Sequence, residues 1–208
     1  MGIVDVGADG QDGYGVMVQS GGTVKLTDVA VRGARGVGLG AVGQGSVVTT
    51  HRLAVERTRP GEGGLGGRGV ALANGAHLDA RLLALVDNTQ AGLSISSAAA
   101  TLADVVVAGT QADRLHPGDG LYVDAGGRLS MSRFRIEANR RAGVVVSASD
   151  AAMDTGRITG NAVGILRRLE GHLVVDAIGF DGNTEDDIRC ETTCPEYAQP
   201  ETLVPLPE

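Results

Sequence analysis

The chain has 208 residues, enough for one substantial domain, yet only 2 % of them are aromatic and 33 are glycine, with no tryptophan. That composition favours many short strands and tight corners over a helical bundle. The formal net charge of −7 argues against non-specific nucleic-acid binding, which depends on neutralising phosphates, and no apolar run is long enough to insert into a bilayer.

A repeated unit runs through most of the chain. Each unit opens on a glycine followed by apolar residues, and the openings stand at Gly15, Gly36, Gly69, Gly92, Gly120, Gly143 and Gly164. Two more short runs follow each opening, with apolar residues at alternate positions, as in Leu129/Met131 and Phe134/Ile136. Alternation with a period of two indicates a strand with one buried face, and three such strands per unit indicate one coil of a solenoid. We therefore predict an all-β solenoid of about seven coils with three short strands per coil.

A corner ends each unit, three residues after the last apolar residue of its third strand. The corner positions hold Ala34, Thr58, Asn88, Thr110, Asn139, Asn161 and Asn183. Asparagine accommodates left-handed backbone geometry, and its side chain bonds readily to nearby backbone. Stacked asparagines can also bond to one another along the axis of the solenoid. We expect the four asparagines to form a structural ladder: Asn88, Asn139, Asn161 and Asn183.

The two ends of the chain depart from the repeat. Val4 and Val6 fit a third strand with Asp9 at its corner, so the chain begins partway through a coil. That start is consistent with a piece of a longer protein that holds further coils. After Asn183 the repeat stops, and the remaining residues are acidic and rich in proline. We expect a β-helical domain over residues 1–184 and an irregular cap and tail over residues 185–208.

The two cysteines, Cys190 and Cys194, lie close together in that tail. A local disulfide that pins the tail is the favoured interpretation, followed by two free thiols and then by a metal site. A disulfide indicates an oxidising compartment. The sequence supplies no second pair of ligands nearby, so neither a metal nor a cofactor is expected.

The corner-to-strand pattern Asn-x-x-x-Gly-[Val/Leu/Ile]-x-[Val/Ile], seen at Asn88–Ile95 and Asn139–Val146, resembles the repeats of the pectin-lyase-like superfamily. This resemblance implies a right-handed parallel β-helix, which the handedness rule for parallel crossovers also favours. It further implies a bacterial protein with an extracellular or cell-surface location and with extracellular polysaccharide as its partner. The superfamily holds polysaccharide lyases, hydrolases and epimerases as well as non-catalytic surface proteins.

The signatures of the catalytic members are incomplete. Asn88-Thr-Gln, Gly171-His-Leu and Arg157-Ile-Thr each lack a residue of the corresponding family motif, and Asp186-Asp187 falls in the expected tail rather than on a strand. The outward row of the first strands, which we expect to run through Met17, Gly38, Ala71, Ser94, Tyr122, Val145 and Leu166, carries no carboxylate. An uncharged first-strand face speaks against catalysis there.

Two coils carry extra residues at the same place, just before the opening glycine. These insertions, residues 59–68 and 111–119, should leave the same edge of the solenoid about 10 Å apart, at two strand spacings. They would then flank the short corner of Asn88 and Gln90 and form a cleft. Candidate ligand-binding residues are Arg59, Glu62, Arg68, Arg114, Asn88 and Gln90. Candidate acid or base residues are His116, Asp113 and Asp119.

Three functional hypotheses follow. The favoured hypothesis is a non-catalytic extracellular or cell-surface module that serves as a scaffold or binds glycans. The second is a lyase, hydrolase or epimerase that acts on acidic polysaccharide in the cleft between loops 59–68 and 111–119. The third is an assembly module whose open coil stacks end to end on another β-helix segment.

Overall fold

The computed structural model describes the backbone of residues 2–5 and residues 13–64 and 66–192 in full. Eight short strands are β2 (Val16–Gln19), β4 (Val37–Val42), β6 (Arg68–Ala73), β8 (Ala91–Ser96), β10 (Asp119–Asp124), β12 (Ala142–Ser147), β14 (Val163–Arg168) and β16 (Asp186–Glu191). The longer strands are β3 (Thr23–Arg32), β5 (Val47–Glu56), β7 (His77–Val86), β9 (Ala99–Ala108), β11 (Arg128–Glu137), β13 (Asp150–Thr159) and β15 (His172–Asp181), joined by a four-residue β1 (Gly2–Asp5). A 3₁₀ turn covers Glu62–Gly64.

The strands form two eight-stranded sheets within the described residues, and every pairing between neighbouring strands is parallel. The short-strand sheet holds the even-numbered strands and the long-strand sheet holds the odd-numbered strands, each in chain order. The chain therefore alternates between the two sheets and advances by one strand in each. The predicted parallel β-helix is confirmed. No helix in the described part of the chain is both long and apolar enough to cross a membrane.

The second and third strands predicted for each coil run together as one ten-residue strand with a bend. The sixth residue of each ten-residue strand has a positive φ, from 49° at Ala177 to 58° at Asp104. The register passes over this residue, so that Thr27 pairs with His51 and Val29 with Leu53. One left-handed residue turns the chain while the ladder bonds continue on both sides of it. The sequence marks this corner weakly, because its occupants include Arg, Leu and Thr rather than glycine.

The core lies between the two sheets and consists of stacked aliphatic rows. The predicted inward pairs Leu53/Val55 and Leu83/Leu85 are at most 2 % exposed. Phe134 occupies the same row and is 6 % exposed, and its partner in β13 is Gly156. A Cβ at position 156 would lie 2.5 Å from atoms of the Phe134 ring, so the glycine makes room for the ring. The volumes of neighbouring coils are thus matched in the core.

The opening of the second coil is Gly38, and the predicted Gly36 is wrong by two residues. Met17 pairs with Gly40, which places Gly15 opposite Gly38 rather than Gly36. The glycines of this row approach the next coil closely: a Cβ on Gly38 would meet the carbonyl oxygen of Gly69 at 2.6 Å. The outward row accordingly passes through Gly40 and not through Gly38.

Side-chain hydrogen bonds link the four corner asparagines to neighbouring coils, and we call this set the asparagine ladder. The Oδ1 atom of Asn161 accepts hydrogen bonds from the backbone nitrogen of Asn139 at 2.9 Å and from its Nδ2 at 3.0 Å. The Oδ1 of Asn183 does the same for Asn161, both at 3.1 Å. Asn88 and Asn139 bond through Oδ1 to the backbone nitrogens of Thr58 and Thr110.

The left-handed residue of this corner is the one before the asparagine, contrary to our expectation. Asp87 and Ala138 have φ values of 53° and 54°, whereas Asn88 and Asn139 are not among the residues with positive φ. The preceding residue makes the turn, and the asparagine side chain satisfies buried backbone groups. Its amide is selected for hydrogen bonding rather than for tolerance of strain.

Both ends of the repeat differ from the prediction in register or extent. Val4 pairs with Val31, so the third strand of the first coil is present but lies two residues earlier than expected, and Val6 and Asp9 fall outside the described residues. Strand β16 pairs with β14 along its length. The short-strand sheet thus continues past the predicted boundary at residue 184, and Asp186 and Asp187 begin a strand rather than a tail.

Candidate functional site

A cavity of about 420 Å³ lies on the outward face of the short-strand sheet, beside the edge from which the two loops leave. Its loop-side wall consists of Arg68, Gln90, His116, Pro117, Asp119 and Arg141. Its floor and far wall consist of Ala91, Ser94, Ser96, Tyr122, Asp124 and Arg168. The cavity follows β8 and β10 from one strand end to the other. Asp119 and Asp124 are five residue steps apart along β10, which corresponds to a length of about 16 Å.

Both loops begin and end on the same ladder of backbone bonds. Thr89 donates its backbone N–H to the carbonyl oxygens of Thr58 and Gly67, which flank the first loop. The Gln90 backbone bonds to Gln111 and Asp119 at the two ends of the second loop, at 3.0 Å each. The corner between the coils therefore ties the two loops to a common edge. The strands that follow them, β6 and β10, are each neighbours of β8.

Asp113 holds His116 against the cavity. Its Oδ1 accepts the backbone N–H groups of Leu115 and His116 at 2.7 Å each, and it lies 3.1 Å from His116 Nδ1. Burial opposes ionisation of Asp113, but these hydrogen bonds outweigh it and lower the pKa of the carboxyl group. Asp113 does not itself line the cavity, whereas the imidazole of His116 does. The arrangement is that of a carboxylate orienting a histidine.

Asp119 and Arg141 form a two-pronged ion pair at the loop-side wall. Arg141 donates through Nε and Nη2 to the two carboxylate oxygens at 2.8 and 2.6 Å. The Asp119 oxygen also accepts the backbone N–H of Ala142 at 3.3 Å. Burial disfavours the charge of Arg141, but the bond to Asp119 outweighs it and raises the pKa of the guanidinium. Asp119 is 3 % exposed, and both its oxygens are bound, so this carboxylate is poorly placed to accept a proton from a ligand.

Three polar groups of the cavity have no partner among the described residues. The Oε1 atom of Gln90 is fully buried and accepts no hydrogen bond, although the residue is 8 % exposed and lines the cavity. The Oδ1 of Asp124 is in the same state at the opposite end. Arg68 makes no ion pair within the described part of the chain. Buried polar atoms are normally satisfied, so the two acceptors call for a ligand or solvent, and the partly exposed guanidinium of Arg68 adds a donor beside them.

The predicted site residues divide into four groups. Arg68, Gln90, His116 and Asp119 line the cavity. Arg59 does not line the cavity, and its guanidinium donates to the Asp87 carbonyl oxygen at 2.7 Å. Glu62 and Arg114 are exposed and do not line the cavity. Asn88 is fully buried, with its amide bonded to Val55 and Thr58, so it cannot contact a ligand in this arrangement.

The predicted uncharged face is wrong, because the prediction covers only one of the two outward rows of the short-strand sheet. A second outward row runs through Ser96, Asp124, Ser147 and Arg168. Tyr122 and Ser94, which lie in the expected row, form the floor between the charged ends. Asp124, Arg141 and Arg168 were not predicted as site residues. The signal that could have found Asp124 and Arg168 is a charged residue two positions after the outward residues Tyr122 and Leu166 of their strands, because alternate strand residues share a face.

The structure describes only one of the two cysteines of the predicted disulfide. Cys190 lies on β16, and Cys194 falls outside the described residues. The disulfide therefore stays a prediction.

The fold and the cavity together define a parallel β-helix with a polar groove on one outer sheet face. A comparison with solved structures finds such a fold in the full-length tailspike protein 2 from Escherichia coli O157:H7 bacteriophage CAB120. The two superpose with a TM-score of 0.57 at 10 % identity, over 82 % of this chain and 24 % of the tailspike. The chain thus spans about a quarter of that protein, and the likeness concerns the fold. No protein-family model matches the sequence, and no curated protein matches it either.

Proposed function

We propose that this chain is an extracellular or cell-surface β-helix module that binds a polysaccharide segment in the cavity on β8 and β10 without cleaving it. The observation that carries the proposal is the pair of buried, unpartnered acceptors at the two ends of the groove, Gln90 Oε1 and Asp124 Oδ1. Both oxygens are shielded from solvent in this structure, so sugar hydroxyl groups would donate to them once the two side chains turn toward the groove. The resemblance to the pectin-lyase-like superfamily and the fold shared with a phage tailspike favour a surface location.

The shape and lining of the groove support an oligomeric ligand. Its length of about 16 Å is greater than that of a single sugar ring. Its floor offers Tyr122 for contact with a sugar ring and Ser94 for a hydrogen bond. Arg68 supplies a guanidinium for a carboxylate or sulfate group on the sugar. Acceptors at both ends and a cation beside one of them fit a polar chain with one acidic substituent better than a uniformly anionic chain.

Binding without cleavage is favoured by the state of the carboxylates. Both oxygens of Asp119 are held by Arg141, and Asp113 does not line the cavity. The groove therefore lacks a pair of free carboxylates of the kind that glycoside hydrolysis uses.

An enzyme that acts on acidic polysaccharide is the second candidate, because His116 lies on the cavity wall with Asp113 at 3.1 Å behind it. Such a histidine could move a proton at the ligand. The replacement His116→Gln separates the two candidates: it abolishes turnover if the protein is an enzyme, and it leaves binding largely intact if the protein is a module.

The test is incubation of the full chain with neutral, uronate-containing and sulfated polysaccharides, with mass spectrometry to detect both retained sugar and new products. Retention without products is expected. Arg68→Ala should weaken retention by roughly 10-fold or more, since a hydrogen bond to a charged group contributes about 1.5–3 kcal/mol. Gln90→Ala should weaken it by roughly 2- to 10-fold, since a hydrogen bond between neutral groups contributes about 0.5–1.5 kcal/mol. Arg128→Ala is the matched control, because Arg128 is 78 % exposed on the long-strand sheet. Equal losses in all three variants, or no retention by the parent chain, would contradict the proposal.

A further inference from the structure

Five exposed arginines lie outside the cavity, on the edge of the solenoid from which the two loops leave: Arg35, Arg57, Arg59, Arg114 and Arg140. We call them the arginine edge. None of them forms an ion pair with a described residue, whereas eight other arginines of the described chain each pair with an aspartate or a glutamate. Protein surfaces usually mix charges of both signs, so unpaired cations concentrated on one edge of a chain with net charge −7 indicate a binding surface.

Three of these arginines occupy one row, at the residue that follows each corner position. Arg35 forms a parallel backbone bridge with Arg59. Thr89 donates a backbone hydrogen bond of 3.0 Å to the coil of Arg59 and forms a second parallel bridge with Gln111. Arg140 donates a backbone hydrogen bond of 3.0 Å to the coil of Gln111. The row therefore advances by one strand spacing per coil, and its ends are four spacings or about 19 Å apart.

Few carboxylates are available to neutralise this edge. In the corners and loops of these coils, four carboxylates are already paired with residues outside the arginine edge: Glu56, Asp113, Asp119 and Glu137. The acidic side chains left without an ion pair among the described residues there are Glu62 and Asp87. Five guanidinium groups thus face two carboxylates, so the local potential is positive although the whole chain is acidic.

The arginine edge meets the cavity at the corner between the two loops. The guanidinium of Arg59 donates to the Asp87 carbonyl oxygen at 2.7 Å and to the Thr89 Oγ1 at 3.4 Å, which fixes it over this corner. The next residue, Gln90, lines the cavity. Because the groove follows β8 and β10, a polymer that continues beyond the groove in the strand direction crosses the corner beside Arg59.

We propose that the arginine edge is a second subsite, which binds carboxylate, sulfate or phosphate substituents on the polysaccharide segment that leaves the groove. This inference rests on the proposed function and extends it, because it assigns acidic groups to the part of the ligand outside the cavity. Guanidinium groups form paired hydrogen bonds with such substituents. Their exposed charges also attract an anionic polymer over a distance that shortens as the salt concentration rises.

Binding of the full chain to dextran sulfate, with unmodified dextran of the same length as reference, tests the subsite by biolayer interferometry. The edge variant is Arg35→Gln/Arg57→Gln/Arg140→Gln. These three side chains make no hydrogen bond within the described part of the chain, so circular dichroism should show an unchanged fold. At about 50 mM salt the variant should bind dextran sulfate roughly 3- to 100-fold more weakly, since each exposed ion pair changes an affinity by about 1.4- to 5-fold.

The matched control is Arg81→Gln/Arg128→Gln/Arg157→Gln, which removes the same charge from the long-strand sheet. It should change the affinity for dextran sulfate by less than about twofold, and the difference between the two triple variants should shrink as salt is added. Equal losses in the two variants would mean that net charge alone governs binding, and would overturn the subsite. No binding of dextran sulfate by the parent chain would also overturn it, because exposed arginines need no particular sugar sequence to attract a polyanion.

Two further comparisons separate this inference from the proposed function and from other partners. A loss confined to the edge variant, with Arg68→Ala and Gln90→Ala unchanged, would support the arginine edge and contradict the groove as the sugar site. The reverse pattern would support the groove and overturn the edge. Binding of a DNA duplex or of phosphatidylglycerol vesicles as tight as that of dextran sulfate would overturn the assignment to polysaccharide.

Discussion

Replacement of Asn161 by alanine tests whether the asparagine ladder stabilises the β-helix by satisfying buried groups. Asn161 is 1 % exposed, and its side chain makes four hydrogen bonds: two accepted from Asn139, one donated to the carbonyl of Thr159 and one to Asn183. Its removal leaves two donors of Asn139 without an acceptor, and Asn139 is 2 % exposed. Each buried group left unsatisfied costs about 1–3 kcal/mol, so we expect a loss of about 2–6 kcal/mol in the free energy of unfolding.

The assay is urea denaturation followed by circular dichroism, together with the melting temperature, which should fall by roughly 5–20 °C for a domain of this size. Asn161→Thr is the matched variant, because threonine occupies this corner naturally at Thr58 and Thr110 and fills most of the volume. If hydrogen bonding dominates, the threonine variant should lose nearly as much stability as the alanine variant. A loss below about 0.5 kcal/mol for Asn161→Ala would refute the reasoning.

Three further predictions follow from single contacts. Thr110→Asn should stabilise the protein by about 0.5–1.5 kcal/mol, because its Oδ1 would accept the backbone N–H of Asn88. The other ladder asparagines accept the backbone N–H of the corner residue in the preceding coil in the same way. An unchanged denaturation midpoint would argue against this prediction. Gly156→Ala should destabilise, since its Cβ would lie 2.5 Å from the Phe134 ring, and Phe134→Leu should restore part of the loss in the same melting assay. The pKa of Asp113 lies below its ordinary 3.8, so the ionised carboxylate stabilises the folded protein fully above pH 3.8. This stabilisation is lost as the pH falls through the lowered pKa. The difference in unfolding free energy between the parent chain and Asp113→Asn should therefore narrow below pH 3.8 in an acid titration.

The fold could be predicted because every level of the sequence agrees on it. Alternating apolar residues, opening glycines and repeated asparagine corners all recur with nearly the same spacing, and the structure stacks them in rows. The errors in register have one physical cause. A strand shifted by two residues keeps every side chain on its correct face, so the alternation cannot distinguish Gly36 from Gly38. The register is decided by the close approach of Gly38 to the Gly69 carbonyl of the next coil. That contact lies between coils, so the alternation within one strand does not reveal it.

The bend inside each ten-residue strand shows a second limit of the sequence. Its left-handed residue is Asp28, Arg52, Leu82, Asp104, Arg133, Thr155 or Ala177 in successive strands. Local preference would place glycine or asparagine at such a position. The continuous ladders on both sides force this geometry instead, so nothing local in the sequence records it.

The loop side of the candidate site could be predicted from the sequence, whereas its sheet side could not. The difference is whether a residue belongs to one of the two insertions that the repeat aligns. Arg68, His116 and Asp119 belong to two insertions that the repeat brings to one edge, so their proximity follows from the coil alignment. Asp124 and Arg168 lie at the far ends of β10 and β14, away from both insertions, and they enter the cavity only because the groove follows the strands to those ends. The direction of the groove is therefore the informative observation. A ligand lying along the strands must meet Gln90 at one end and Asp124 at the other, so these two residues should affect binding of a long oligosaccharide together and of a monosaccharide separately.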